Sequence, residues 1–155
     1  MGYNTDFSGR FDLDKPLSEE DRKFLENLAA TRRMKRDLSE EFGVEGEFYF
    51  GDDDSGVVDY NRPPSSQPGL WCMWVPTEDD KGIEWDGGEK FYDYVEWIEY
   101  IIEKILKPRG YLLNGKVRWF GEDRGDNGAI IVNDNLVTRK ELRMVDDDGI
   151  CHDDD

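Results

Sequence analysis

Four groups of side chains in this 155-residue sequence have types and spacings suited to chemistry or recognition. The first is Cys151-His152, which contains the single histidine. A Cys–His or Ser–His–Asp centre needs its base held on a rigid scaffold. Two adjacent side chains near the end of a chain do not meet that need, so no catalytic residue is expected. The second group is Asp123, Asn127 and Asp134. Counted from Asp123, they fall at positions one, five and twelve, with Gly128 at six and Ile130 at eight. This partly matches a calcium loop, in which oxygen ligands recur at set positions and a sharp turn falls at the sixth. Gly125 offers no side-chain oxygen at position three, and position twelve is Asp instead of Glu. The flanks read as strands. A hairpin with Asn127-Gly128 at its turn is the preferred reading, and no metal or cofactor is expected.

The third group is basic and aromatic. Arg32, Arg33, Lys35 and Arg36 cluster within an otherwise acidic chain, so residues 19–36 carry six bases and four acids. Dipole complementarity at a helix end, with salt bridges to the chain's own acids, accounts for such a cluster. A sharper possibility is an anion pocket. There Arg32 and Arg33, with their bidentate guanidinium groups, face Tyr60, Arg62, Trp71 and Trp85 around the proline-rich loop 61–69.

The fourth group is acidic. Residues 76–106 hold ten acids and three bases. Asp93, Glu96, Glu99 and Glu103 recur at helical spacing, with Glu84, Asp86 and Glu89 shortly before them. The whole chain has 37 Asp and Glu against 20 Lys and Arg, a net charge of −17, and remains at −11 without its last ten residues. Such a field disfavours nucleic acid and anionic membrane as partners and favours basic proteins.

These groups need a scaffold, and the periodicities predict one. Residues 3–13 alternate as a strand. Ser18 with Glu19, Glu20 and Asp21 starts a helix, and Phe24, Leu25, Leu28 and Ala29 give it an apolar stripe to about residue 36. Short strands are expected at 47–50, 70–75 and 83–85. Asp86 and Glu89 have the spacing of a capping box. Phe91, Tyr94, Val95, Ile98, Ile101, Ile102 and Ile105 then place one stripe on a helix over 91–105. Residues 116–120 and 129–132 form a hairpin. The expected fold is α+β, with β-α-β-β repeated twice in a single antiparallel sheet and two helices on one face. Residues 1–138 make one domain, and 139–155 an acidic flexible tail able to hold divalent ions only weakly. No apolar run is long enough for a membrane span, no signal peptide is read, and two unrelated thiols (Cys72 and Cys151) suit a reducing cytosol.

Several segments also resemble one another's counterparts in a known group of proteins: residues 2–7, 31–34, 59–64, 69–72 and 83–92, then Gly121-Glu122 with residues 126–134. Over residues 2–138 the chain is similar to a family of small uncharacterised proteins of bacteriophages and bacteria. The resemblance implies no catalytic residue. It implies an accessory protein of phage or mobile-element type, acting in the host cytosol by binding host machinery. The sequence thus suggests an acidic, non-enzymatic protein that binds and inhibits a host protein with a basic surface, through Glu84, Asp86, Glu89, Asp93, Glu96, Glu99 and Glu103. Nucleic-acid mimicry is one form this could take. The alternative is a small-anion or nucleotide-like ligand site, or a modest enzyme, at the Arg32/Arg33 pocket.

Overall fold

A computed structural model describes residues 2–51, 53–144 and 151–153, with side chains for 2–51 and 53–141. The fold is α+β. In chain order it contains β1 (Thr5–Leu13), α1 (Glu19–Ala30), β2 (Lys35–Arg36), β3 (Val57–Asp59), β4 (Trp74–Pro76) and β5 (Gly82–Trp85). Then come α2 (Tyr94–Ile101), β6 (Leu113–Gly121), β7 (Asn127–Asn133), β8 (Leu136–Met144) and β9 (Cys151–Asp153). The main sheet runs β4-β5-β1-β6-β7-β8-β9, and its described pairs are antiparallel. Strands β2 and β3 stand apart as a two-stranded ribbon. The two halves of the chain therefore do not contribute equivalent strands to the sheet.

Alternation along β1 and β6 decides which side is core. Phe7, Phe11, Val117 and Trp119 face inward, while Ser8, Asp12, Lys116 and Phe120 face out. Tyr94 of α2 meets the inward rings of Phe7 at 5.0 Å and Trp119 at 5.7 Å. Trp74, Phe91, Trp97, Ile98, Ile101 and Ile102 complete a core that also takes in Leu25 and Leu28 of α1. Large rings in edge-to-face contact remove much apolar surface from water per residue, which is how a chain only 37% apolar builds this core.

The helices end where their polar atoms find other partners. Ser18 Oγ accepts from Asp21 N at 3.1 Å, as its cap position predicts. The helix expected to reach residue 36 stops at Ala30. Beyond it the backbone crosses to the neighbouring loop, where Arg33 N donates to Leu70 O and Lys35 N to Arg62 O, each at 2.8 Å. Helix α2 begins at Tyr94, three residues later than expected, because Asp93 adopts φ 58°. Asp86 caps no helix; its carboxylate instead accepts from Gly88 N at 2.7 Å. Past Ile101 the helix widens into a π-turn over Ile102–Leu106, with Lys107 N donating to Ile102 O. The turn keeps the consecutive pairs Ile101-Ile102 and Ile105-Leu106 all buried.

Residues 47–50 form a turn and an irregular stretch and no strand, because the Glu47 side chain is buried and bonded to three other segments. Its carboxylate accepts from Val44 N, Ser66 Oγ and Tyr100 OH. The strand expected at 70–75 is confined to Trp74–Pro76, since Leu70 O is already taken by Arg33 N. The sheet also runs past residue 138. Strand β8 continues to Met144, pairing Arg139 with Ile130 and Glu141 with Gly128, and β9 pairs on its far side. Arg139 turns toward the core side and lies over the Trp119 ring at 5.2 Å, so a charged sequence is compatible with this strand. The acidic stretch 145–150 and residues 154–155 lie outside the described residues.

Two carboxyls, half-buried Glu45 and exposed Asp79, hold turns in place and set an acid-sensitive component of stability. Glu45 accepts from Ser65 N at 2.7 Å and pairs with Lys35, which pull its carboxyl down to about 2. Asp79 accepts from Thr77 Oγ1 and Lys81 N and pairs with Arg10, and is likewise drawn to about 2. A depressed carboxyl stabilises fully above its unfolded pKa and loses that contribution as pH falls through the folded one. The destabilisation caused by Asp79→Asn, measured by thermal melts, should be complete above about pH 4 and vanish near pH 2. A difference between variant and wild type that stays constant across that range would contradict the assignment.

Candidate functional site

A cleft of about 550 Å³ lies between two segments, 63–73 and 89–93. One wall is Pro63, Gly69, Leu70, Trp71 and Met73; the other is Glu89, Lys90, Tyr92 and Asp93. Its volume is that of a small-ligand pocket.

Local contacts explain both walls. The proline-rich segment is pinned by the backbone bonds from Arg33 and Lys35 and by Gln67. The Gln67 amide donates to Glu47 O at 2.7 Å and to Tyr100 OH at 3.0 Å. On the other wall, Phe91 is buried against Phe7, Trp74 and Tyr94. Driving Phe91 inward turns its neighbours Lys90 and Tyr92 to the outside, and the Tyr92 hydroxyl accepts from Tyr3 N at 3.1 Å. Trp71 and Tyr92 are 41% and 52% exposed. Two large rings left in water at one opening form an exposed apolar surface.

The floor is polar in an unusual way. Asp93 precedes α2, yet its carboxylate does not cap the helix. A methyl group on Gly69 would sit 3.4 Å from Asp93 Oδ2 and 3.5 Å from Trp97 Nε1. These two atoms therefore converge over the bare backbone of Gly69. Trp97 is fully buried, and its indole N–H has no hydrogen-bond partner among the described residues. Burial and the neighbouring Glu96 raise the Asp93 carboxyl above its ordinary range. Asp93 is thus an acid with no paired cation among the described residues, at the edge of an apolar cleft.

The residues expected for an anion pocket are mostly elsewhere. Trp71 does line the cleft. Arg33 is 2% exposed, with its guanidinium donating to Glu47 O and Tyr49 O, and burial lowers its pKa to about 10. Arg36 is also buried and donates to Ser55 O and Asp53 O. Arg32 bonds to Tyr60 O, Arg62 pairs with Asp59 at 3.7 Å, and the Tyr60 hydroxyl bonds to Asp54. Trp85 leans on Phe7 and donates to Gly88 O. The basic cluster therefore serves the chain's own backbone carbonyls and, through Lys35–Glu45 at 3.2 Å and Arg36–Asp53 at 3.7 Å, its own carboxylates, as the salt-bridge reading expects; its residues are absent from the cleft lining. It also lies outside any helix end, so dipole complementarity does not explain it.

The acidic residues divide into two sets. Glu89 and Asp93 flank the cleft, and Glu96, Glu99 and Glu103 continue from it along the exposed face of α2 and its π-turn. Glu103 pairs with Lys107 at 3.3 Å. Glu84 pairs with Val75 and alternates with buried Ile83, which turns it to the side of the sheet away from α2. Asp86 sits in the turn after β5. Asp123 and Asp134 stand at opposite ends of β7, separated by about 20 Å of strand. They do not share an ion. The turn before β7 is made by residues 122–126 and not by Asn127-Gly128, which already lie in the strand. Asp126 anchors that turn by accepting from Tyr3 OH at 2.7 Å and Trp119 Nε1 at 3.0 Å.

Together these features define an α+β protein with an aromatic, acid-rimmed cleft that adjoins an acidic helix face. Comparison with protein-family models, curated proteins and solved structures finds no match to this chain. No described helix is long and apolar enough to cross a membrane. Cys72 is a free, buried thiol pushed up to about 12 by burial, so it supplies no thiolate near neutral pH.

Proposed function

We propose that this chain is a non-enzymatic interaction protein that binds a basic surface of a partner protein and blocks it. The observation that carries this reading is the continuity of Glu89 and Asp93 with Glu96, Glu99 and Glu103, an exposed acidic strip joined to an apolar cleft. Apolar anchors beside a one-signed charged surface are what a protein interface uses for affinity and for steering. The partner is a host protein of the defence or nucleic-acid-handling kind, met in the cytosol, as the resemblance to phage proteins implies. Neither nucleic acid nor membrane is a partner, given a net charge of −17.

Nucleic-acid mimicry is the narrower form of this proposal. Glu96, Glu99 and Glu103 span roughly 10 Å of helix, a sparser array than one charge per ~1.7 Å of duplex. A mimic must therefore recruit Glu89 and Asp93 as well.

The test is affinity for an arginine-rich peptide as salt rises. Wild-type affinity should fall steeply between about 0.1 and about 1 M salt, where the screening length shrinks from ~10 to ~3 Å. The triple variant Glu96→Gln/Glu99→Gln/Glu103→Gln should fold normally, bind roughly tenfold more weakly at low salt, and lose most of that slope, each exposed pair contributing up to about 1 kcal/mol. Equal affinity and equal slope in variant and wild type would refute the acidic-face reading.

A further inference from the structure

We infer that the cleft is a receptor for one arginine side chain of a basic peptide segment, held between Trp71 and Tyr92 with its guanidinium at Asp93 and Glu89. This rests on the basic-partner reading above and adds a ligand class and a place. It also reverses the sign of charge that the sequence suggests for a pocket here.

Three features lead to it. The exposed rings of Trp71 and Tyr92 offer π faces and edges to a flat cation, and arginine stacks on aromatic surfaces while carrying an apolar stem. The carboxylates match that cation. Asp93 lies at the exposed rim of the cleft, where partial desolvation and Glu96 both raise its carboxyl, so a guanidinium would relieve both. Lys90 is the one base among the described residues of the lining. Its stem is packed at the lip, where a methyl on Gly2 would meet its Cδ at 2.6 Å, and Glu89 and Asp93 outnumber it.

The third feature is Trp97. Its buried, unpartnered indole N–H ends beside Asp93 Oδ2 over Gly69. A donor and an acceptor that converge on one bare spot suit a ligand bringing both a cation and a hydrogen-bond acceptor. A peptide supplies these as a side chain and a main-chain carbonyl.

Gly69 makes the inference testable without disturbing the fold. Its φ lies outside the left-handed region, and an added methyl would meet Asp93 and Trp97 at ordinary contact distance. Gly69→Ala should therefore fold as wild type while filling the spot where the two polar atoms converge. The probes are N-acetyl-arginine methylamide and its neutral isostere N-acetyl-citrulline methylamide, titrated while the indole N–H resonances of Trp71 and Trp97 are followed by NMR. The arginine probe should shift both resonances saturably, with a Kd of about 1 mM. The citrulline probe should bind at least about tenfold more weakly, since it lacks the charge. Gly69→Ala should lose the arginine response with an unchanged melting temperature. Trp71→Ala, a change at an exposed position, is the second variant if Gly69→Ala melts early, and it should lose the response too.

Equal binding of arginine and citrulline probes, or a folded cleft variant that binds like wild type, overturns the inference. The triple Gln variant separates this result from the broader reading. If it keeps the arginine-probe response and loses peptide affinity, both proposals stand. If peptide affinity depends on the helix acids while the probe never reaches Trp71 and Trp97, only the cleft proposal fails. If the probe binds the cleft while peptide affinity ignores those acids, the helix-face reading fails and the cleft stands.

Discussion

Ile98→Asp is expected to abolish the native fold. Ile98 is fully buried in the middle of α2, among the side chains that pack on Phe11, Val117 and their neighbours. Removing a buried aliphatic side chain costs about 2–5 kcal/mol on its own. An unpaired carboxylate in the same place adds a desolvation cost of several kcal/mol, and the sum approaches the ~5–15 kcal/mol by which domains are stable. Circular dichroism should show loss of the cooperative thermal transition. Ile98→Val, by contrast, should lower stability by only about 1 kcal/mol. A cooperative melt of Ile98→Asp near the wild-type midpoint would show that α2 does not form the centre of the core.

Arg33→Ala comes next in size and separates a structural arginine from a ligand-binding one. The Arg33 guanidinium donates to the carbonyls of Glu47 and Tyr49 and lies over the Phe50 ring at 5.3 Å. Its removal leaves buried acceptors short of a donor, at ~1–3 kcal/mol each, although Gln67 still reaches Glu47 O. A loss of about 2–4 kcal/mol is expected, or roughly 5–15 °C in midpoint for a domain of this length. Arg33→Lys should recover little, because one ammonium does not reproduce a planar fork across two carbonyls. An Arg33→Ala protein of wild-type stability that loses affinity for phosphate or nucleotide would instead restore the anion-pocket reading.

What was legible in the sequence follows from which interactions are periodic. The α2 stripe, the β6–β7 hairpin and the Ser18 cap are local patterns, and Ile98 and Ile102 are buried as their spacing predicts. The stretch from residue 31 to 73 was misread because its structure comes from long-range polar contacts. Arg33, Glu47, Gln67 and Tyr100 lie up to 67 positions apart in the chain and are joined by hydrogen bonds among their buried polar groups. Nothing in the pattern around Arg33 distinguishes a buried staple from a surface anion site. Of the cleft, Trp71, Glu89 and Asp93 were identifiable by residue type, but Gly69, Tyr92 and Trp97 were not. Trp97 belongs to no visible site, and only its buried, unpaired N–H marks it. Thr138, Arg139, Lys140 and Glu141 hide the alternation of strand β8, so its charged sequence reads as tail.

The central claim is that one surface, running from the cleft along α2, receives a basic partner. Mapping of backbone amide shifts on adding an arginine-rich peptide tests it most directly. Perturbations should gather at residues 69–73, 89–93 and the exposed positions of α2, and fade as salt is raised. Perturbations centred on the outward face of the sheet, around Ser8, Lys116, Arg118 and Phe120, would contradict it, as would a spectrum that the peptide leaves unchanged.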